Sequence, residues 1–262
     1  MIAKKVTSLL ASLILPVVSA IGGESPMLKK MVDEGKLPPL EERLPENPLV
    51  ENPVSEVGKY GGKLVLGTAF FLDDERLPSR VDRNGFFQFS YPFPAEGPIK
   101  PNLAESWEWN ADGTKLTINL RKGIKWSDGQ PFTTDDVIFF MEDIVNDEKV
   151  AYIWFYESNF YDAEGNFPKI TKIDDNTIEF KYSATAFLFE KKYANVVWQA
   201  LPKHHLKTWH PKYNKTSSYE ILNEKLKILG VDSEGGRVTL NAWVVDEYVP
   251  DGKLHMTRNP YY

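Results

Sequence analysis

The chain has 262 residues, of which 42% are hydrophobic and 26% are charged, as is usual for a soluble globular protein. Its formal net charge of −6 argues against nucleic acid or an anionic membrane surface as the main partner. The absence of cysteine excludes disulfides, thiolate metal sites and a cysteine nucleophile, and we also expect no bacterial lipid anchor, which needs a cysteine.

The first 20 residues follow the order of a signal peptide. Lys4 and Lys5 give a positive start, residues 6–18 form an apolar run, and Val-Ser-Ala at 18–20 is a small-residue cleavage site. The run is too short to span a bilayer comfortably, and a buried first helix is the alternative. We therefore expect residues 1–20 to be a signal peptide and the protein to be exported and soluble.

Residues 21–60 are predicted to be an extended preamble. A short helix is predicted from Pro26 to Glu34 and ends at Gly35. The five prolines between residues 38 and 53 predict no further regular structure. We expect the preamble to lie along the surface or to be partly mobile.

Strand-like and turn-like segments begin at residue 61. Residues 63–67 alternate as a strand does, and residues 69–74 follow as a loop. A hairpin is predicted between 105–109 and 115–121, with Leu116, Ile118 and Leu120 on one face. Asp128-Gly129 predicts a second tight turn.

The clearest helix follows residue 133. Thr133 or Thr134 caps it, and Asp135 and Asp136 occupy the first turn, where the helix dipole favours negative charge. Its apolar residues have helical spacing and predict one packed stripe: Val137, Phe140, Met141, Ile144 and Val145.

The remaining elements complete the predicted class. They are a hairpin between 170–173 and 177–181, a helix over 219–229 ended by Gly230, and strands at 238–245 and 253–257. This order of strands and helices predicts a mixed α/β or α+β fold.

The histidines give little support for a metal site. His204, His205 and His210 are close in sequence, but they lack the i, i+4 spacing and the nearby carboxylate of a zinc helix. We expect them to lie in a solvated loop or at the start of a helix, and we predict neither a metal nor another cofactor.

Three pairs of acids are candidates for glycoside hydrolysis, which needs two carboxylates facing each other across a cleft. Asp135-Asp136 is explained by capping, and Asp174-Asp175 by a turn. Only Asp73-Asp74, in the loop after the first strand, keeps a functional interpretation.

One long block resembles a known family. The segments PNLAESW (101–107), DGTK (112–115) and LRKGIKWSDGQPFTTDDV (120–137) are similar to the signature of extracellular solute-binding proteins of the oligopeptide/dipeptide type, solute-binding family 5. GGKL (61–64), LPKH (201–204) and RNPYY (258–262) agree in order. EGGRV (234–238) departs from the usual Gly-Thr-Gly-Pro-Tyr-like strand start.

The resemblance implies a non-enzymatic capture subunit of an ATP-driven importer, in the periplasm, working with permease subunits as a monomer. In this family a ligand lies between two lobes, and members are about twice as long as this chain. The resemblance therefore implies a periplasmic-binding-protein-like first lobe over 61–262, with an inserted subdomain at about 75–182 and the second lobe absent. By resemblance, the segment at 259–262 precedes the passage to the second lobe.

The resemblance also places candidate ligand contacts, because the loop after the first strand usually faces the cleft. They are Phe70, Phe71, Asp73 and, before LPK, Trp198. The rings would stack on the ligand and Asp73 would accept hydrogen bonds. A peptide or an oligosaccharide is expected; a secreted glycan hydrolase and a truncated, non-functional paralogue are the alternatives.

Overall fold

A computed structural model describes residues 23–50, 55–65, 85–89, 98–151, 160–194, 200–227, 238–249 and 253–262. The predicted signal peptide at 1–20 lies outside these ranges. Within them, no helix has both the length and the apolar character needed to cross a membrane.

The described residues form helices and strands that alternate along the chain. The helices are α1 (Pro26–Asp33), α2 (Leu40–Arg43), α3 (Thr134–Ile138, continued by a π-helix over Phe139–Val145), α4 (Phe189–Tyr193), α5 (Lys203–Leu206) and α6 (Tyr219–Lys227). The strands are β1 (Phe87–Phe89), β2 (Ile99–Pro101), β3 (Ala104–Trp109), β4 (Lys115–Leu120), β5 (Lys169–Lys172), β6 (Thr177–Lys181), β7 (Trp243–Val249) and β8 (Lys253–Arg258).

The centre of the fold is a four-stranded antiparallel sheet in the order β3-β4-β6-β5. Both predicted hairpins are confirmed, because β3 pairs with β4 and β5 pairs with β6. Leu116, Ile118 and Leu120 point to one face of β4 and are buried, as their alternation predicts. β1 pairs with β2, and β7 pairs with β8, in two separate two-stranded sheets.

Helix α3 covers the sheet with its apolar residues. Thr133 is its N-cap, and Thr133 and Asp136 form a reciprocal capping box. The five predicted stripe residues are all buried, which confirms the stripe. Phe139 is buried outside that stripe because the rings of His210 and Tyr213 cover its side of the helix at centroid distances of 5.8 and 6.0 Å.

Three predictions about secondary structure are wrong. Residues 63–65 of the predicted first strand are irregular, and Leu64 and Val65 are each 76% exposed, since no described segment pairs with them. The strand predicted at 238–245 begins only at Trp243 and runs to Val249. The preamble contains the one-turn helix α2, which fits between Pro39 and Pro45 because proline is tolerated at a helix start.

The buried apolar residues from Phe86 to Leu240 form one connected core. The core therefore joins the central sheet, α3 and the segments that follow it. The boundary of the predicted inserted subdomain, about 75–182, stays a prediction.

Candidate functional site

The four predicted ligand contacts, Phe70, Phe71, Asp73 and Trp198, lie outside the described residues. Their positions stay a prediction. The described residues instead show what the signature block builds. The signature block forms a turn at Trp126–Gly129, and segments distant in sequence contact this turn. We call the turn and its contacts the turn junction.

The turn itself closes through backbone hydrogen bonds. Trp126 donates its amide N–H to the Gln130 carbonyl at 2.8 Å, and Gly129 donates its amide N–H to the Trp126 carbonyl at 2.8 Å. Gly129 has φ +85°, a conformation that glycine adopts without the clash a Cβ would cause. The predicted Asp-Gly turn is confirmed.

Three segments from later in the chain meet at the turn junction. Ser127 and Thr239 exchange two hydrogen bonds, of 2.9 and 3.0 Å. Asp128 Oδ2 lies 2.7 Å from His204 Nε2. A Cβ on Gly129 would lie 2.7 Å from the Tyr261 hydroxyl, so this glycine also allows the terminal segment to approach.

Asp136 connects the turn junction to α3 and α5. Its Oδ2 accepts from the Thr133 amide at 3.0 Å and from Trp126 Nε1 at 3.2 Å, and its Oδ1 accepts from the Lys203 amide at 2.9 Å. Burial raises the pKa of Asp136 above its ordinary value, although these hydrogen bonds act in the opposite direction. Both oxygens of the Asp136 carboxylate therefore accept hydrogen bonds from groups that belong to the fold itself.

The histidine cluster divides into two environments. His204 and His205 lie in the short helix α5, as predicted, whereas the prediction of a solvated position is wrong for His210, which is 1% exposed. His210 Nε2 lies 3.0 Å from the Asp143 carbonyl, and Nδ1 accepts from the Lys212 amide at 3.1 Å. Both ring nitrogens are occupied by the backbone because α3 and the 210–213 turn pack around this ring. No group of three metal-ligating side chains occurs among the residues that the structure describes.

The other paired acids have structural partners. Lys172 Nζ lies 2.9 Å from Asp135 Oδ2 and 2.7 Å from Asp175 Oδ1, so one lysine joins the helix start to the hairpin turn. Asp174 Oδ1 accepts from the Asn176 amide at 2.7 Å within that turn. The predicted capping and turn roles of these acids are confirmed.

A second polar feature could not be predicted from the sequence. Glu190 Oε1 accepts from the indole nitrogens of Trp107 at 3.0 Å and Trp109 at 2.5 Å. The two tryptophans alternate on β3, which predicts a shared face, but nothing in the sequence predicts that α4 brings a carboxylate to both. This contact satisfies two half-buried donors.

A family model and the sequences of known proteins point to the same family. The family model described as "Bacterial extracellular solute-binding proteins, family 5 Middle" matches residues 98–262. The periplasmic alpha-galactoside-binding protein of Rhizobium meliloti is 34% identical in an alignment 256 residues long, which covers 89% of this chain and 35% of that protein. Periplasmic OppA of Escherichia coli is 28% identical over 64% of this chain and 29% of its own length.

Solved structures agree over most of the chain. An oligopeptide-binding protein OppA superposes with a TM-score of 0.76 at 32% identity, covering 92% of this chain and 38% of the other. The periplasmic binding protein MelB of Agrobacterium fabrum, solved with stachyose, superposes with a TM-score of 0.69 at 32% identity and the same coverage. The chain spans about a third of the length of these relatives.

The matched region contains the turn junction, the capped helix and the central sheet, so the family signature and the scaffold coincide. The mixed α/β fold corresponds to part of a periplasmic-binding-protein fold. This chain belongs to family 5 of the bacterial extracellular solute-binding proteins.

Proposed function

We propose that the chain supplies the first lobe of the substrate-binding component of an ABC importer for oligopeptides or oligosaccharides. One observation carries this proposal: 92% of the chain superposes on two ligand-binding proteins, one of them described as oligopeptide-binding and the other solved with stachyose. A ligand enclosed between two lobes loses most of its exposed surface, and this burial supplies much of the affinity.

Oligosaccharides of the α-galactoside type are the ligand class to test first. The relative named as an alpha-galactoside-binding protein aligns over 89% of this chain, against 64% for OppA of Escherichia coli. The chain is also rich in aromatic residues, with 7 Trp, 12 Tyr and 15 Phe, and flat rings stack well on sugars. Peptides are the second class.

The proposed ligand contacts are Phe70, Phe71, Asp73 and Trp198. The aromatic rings stack on the ligand, and Asp73 accepts hydrogen bonds from its hydroxyl or amide groups. Their support is the family resemblance of the loop after GGKL and of the segment before LPK.

The proposal includes a location and partners. Residues 1–20 direct export to the periplasm, where the monomeric protein presents its ligand to the permease subunits. Binding without chemistry is favoured over glycoside hydrolysis because Asp135, Asp136 and Asp174 all hold scaffold groups. No step of the proposed function involves a metal, another cofactor or nucleic acid.

The experiment expresses residues 1–262 together with any coding sequence that continues the frame beyond Tyr262. The melting temperature of the expressed protein is measured with stachyose and with penta-alanine. The sugar is then recovered for mass spectrometry. We expect a ligand-dependent rise in melting temperature with one of the two and an unchanged ligand. Hydrolysed stachyose would favour the glycan hydrolase, and no rise with either compound would contradict the proposal.

Variants test the proposed contacts. Phe71→Ala and Asp73→Asn are each expected to weaken ligand affinity by about tenfold, and so to reduce the rise in melting temperature that the ligand causes. The matched control is Phe187→Ala, which removes an exposed ring packed on Trp109, in the described part of the lobe. Equal effects of Phe71→Ala and Phe187→Ala would refute the assignment of Phe71.

A further inference from the structure

The preamble, which the sequence predicts to lie along the surface or to be partly mobile, is fastened to the rest of the described chain by hydrogen bonds. We call residues 23–48 the N-terminal strap. Glu46 donates its amide N–H to the Lys122 carbonyl at 3.0 Å, and Arg121 Nη1 donates to the Asn47 carbonyl at 2.8 Å. Asn47 Nδ2 donates to Glu105 Oε1 at 2.5 Å. The strap is thus bonded to the signature block near its end.

Arg43 is the centre of a second fastening. Its side chain is 1% exposed, and Nε donates to the Pro38 carbonyl at 2.9 Å. Nη2 contacts the Glu24 carboxylate, and Nη1 donates to the Pro260 carbonyl. One guanidinium therefore joins two points of the strap to a segment 217 residues further along the chain.

The segment that Arg43 reaches, Asn259–Tyr262, has two other anchors. Asn259 is 1% exposed, donates its amide N–H to the Ala242 carbonyl at 2.8 Å and donates from Nδ2 to the Asn241 carbonyl at 2.8 Å. The Tyr261 hydroxyl lies against Gly129 of the turn junction. The strap, the turn junction and the residues just before β7 therefore converge on these four residues.

The planar guanidinium of Arg43 fixes the directions of its hydrogen bonds to the three acceptors. A buried guanidinium is tolerated only when its donors are met, and its planar fork fixes the relative positions of the acceptors. Burial lowers the pKa of Arg43 below its ordinary value, which reflects the cost of removing the guanidinium from water. A lysine has one ammonium nitrogen in place of the three nitrogens of the planar guanidinium, so it cannot reproduce this arrangement.

We propose that the N-terminal strap, through Arg43, positions the segment Asn259–Tyr262, and that Arg43 thereby sets ligand affinity without contacting the ligand. The second half rests on the proposed function, in which this segment is where the chain passes from the first lobe towards the second. A displaced segment would change the angle between the lobes and so the fit of the closed cleft. Arg43 is a positioning residue.

The first test needs no ligand. Hydrogen exchange is followed by mass spectrometry in the 262-residue chain, comparing peptides that cover 253–262 with peptides that cover β4. Arg43→Met is expected to raise exchange at 259–262 by about tenfold or more, since it removes charge-assisted hydrogen bonds, and to leave β4 within about twofold. Arg43→Lys should give a smaller rise at the same residues, which keeps the test available if Arg43→Met does not fold.

The matched control is Asn47→Ala, which loosens the strap at its other fastening. It should raise exchange near Glu46 and leave 259–262 unchanged. If Arg43→Met and Arg43→Lys leave 259–262 unchanged, or accelerate β4 equally, the positioning role is refuted.

The second test measures stachyose or penta-alanine binding by the product of the complete reading frame. Arg43→Met is expected to weaken affinity by about tenfold, with Asn47→Ala unchanged. If the wild-type product binds neither compound, the proposed function fails while the exchange result still decides the positioning role. If the wild type binds and Arg43→Met binds equally well, the effect on affinity is refuted.

Discussion

Asp136→Asn is the substitution that most directly tests the scaffold role of the signature block. The carboxylate accepts from three donors, two on Oδ2 and one on Oδ1. In asparagine, one of these positions becomes an NH2 group. The better orientation keeps the oxygen for Thr133 and Trp126 and turns the NH2 towards the Lys203 amide, so that donor faces donor.

The magnitude follows from the count of groups left unpaired. Two buried donors without acceptors cost about 1–3 kcal/mol each in the free energy of unfolding. A neutral amide costs less to bury than the carboxylate, whose burial raises the pKa of Asp136. The expected total cost of the two unpaired donors therefore lies in the lower half of its range. We expect Asp136→Asn to lower the free energy of unfolding by about 2–4 kcal/mol.

The assay is urea unfolding of the 262-residue chain, followed by tryptophan fluorescence. The matched control is Asp135→Asn, which removes a half-exposed acid in the same helical turn, paired with Lys172 at 2.9 Å. That control should cost less than about 1 kcal/mol, because exposed ion pairs contribute little. Equal losses for the two variants would refute the view that Asp136 holds the turn junction to α3 and α5.

Three further predictions concern the described part of the chain. Glu190→Ala should cost about 1–3 kcal/mol by urea unfolding, because it leaves two indole N–H groups unpaired, whereas Glu190→Gln keeps an acceptor and should cost less; equal costs would contradict this role. Gly129→Ala should cost more than Gly165→Ala, since both have positive φ but only the Gly129 Cβ would meet Tyr261; equal melting temperatures would contradict that contact. Burial alone would raise the pKa of Asp162, but hydrogen bonds from Ser183, Asn166, Ala184 and Glu164 outweigh it and lower the pKa to about 2. The stability from Asp162 is therefore present above the ordinary aspartate pKa and is lost as pH falls towards about 2; Asp162→Asn should flatten this acid limb, and an unchanged limb would contradict it.

The elements that could be predicted are those with a local cause. The β3–β4 hairpin follows from alternation on either side of the turn predicted at 110–113, and α3 follows from a cap at Thr133 and an apolar stripe that ends at Val145. These signals lie inside the element itself. The resemblance at 101–137 depends on the same residues, which explains why the family and much of the fold could be predicted together.

The elements that failed depend on distant partners. Residues 63–67 alternate like a strand, but alternation supplies no pairing partner, and the described part of this segment is exposed. The surface position of the strap could be predicted, but its fastening could not, because nothing near Arg43 indicates that its side chain reaches Pro260. His210 looked solvated because the groups that bury it come from α3, more than 60 residues earlier.

The candidate site divides in the same way. Asp136 could be predicted as a cap, but its contacts with Trp126 and Lys203 required the fold. The ligand contacts Phe70, Phe71, Asp73 and Trp198 rest on resemblance and lie outside the described residues. Their assignment depends on the variants proposed above.

The central claim is that residues 61–262 supply one wall of a ligand-binding cleft. Isothermal titration calorimetry tests it most directly, with stachyose and with penta-alanine added separately to the 262-residue chain and to that chain extended by any coding sequence that continues the frame beyond Tyr262. We predict micromolar or tighter binding of one compound by the extended chain and no saturable binding by the 262-residue chain, because a single wall leaves the ligand in water. Equal micromolar affinity in both proteins would contradict it.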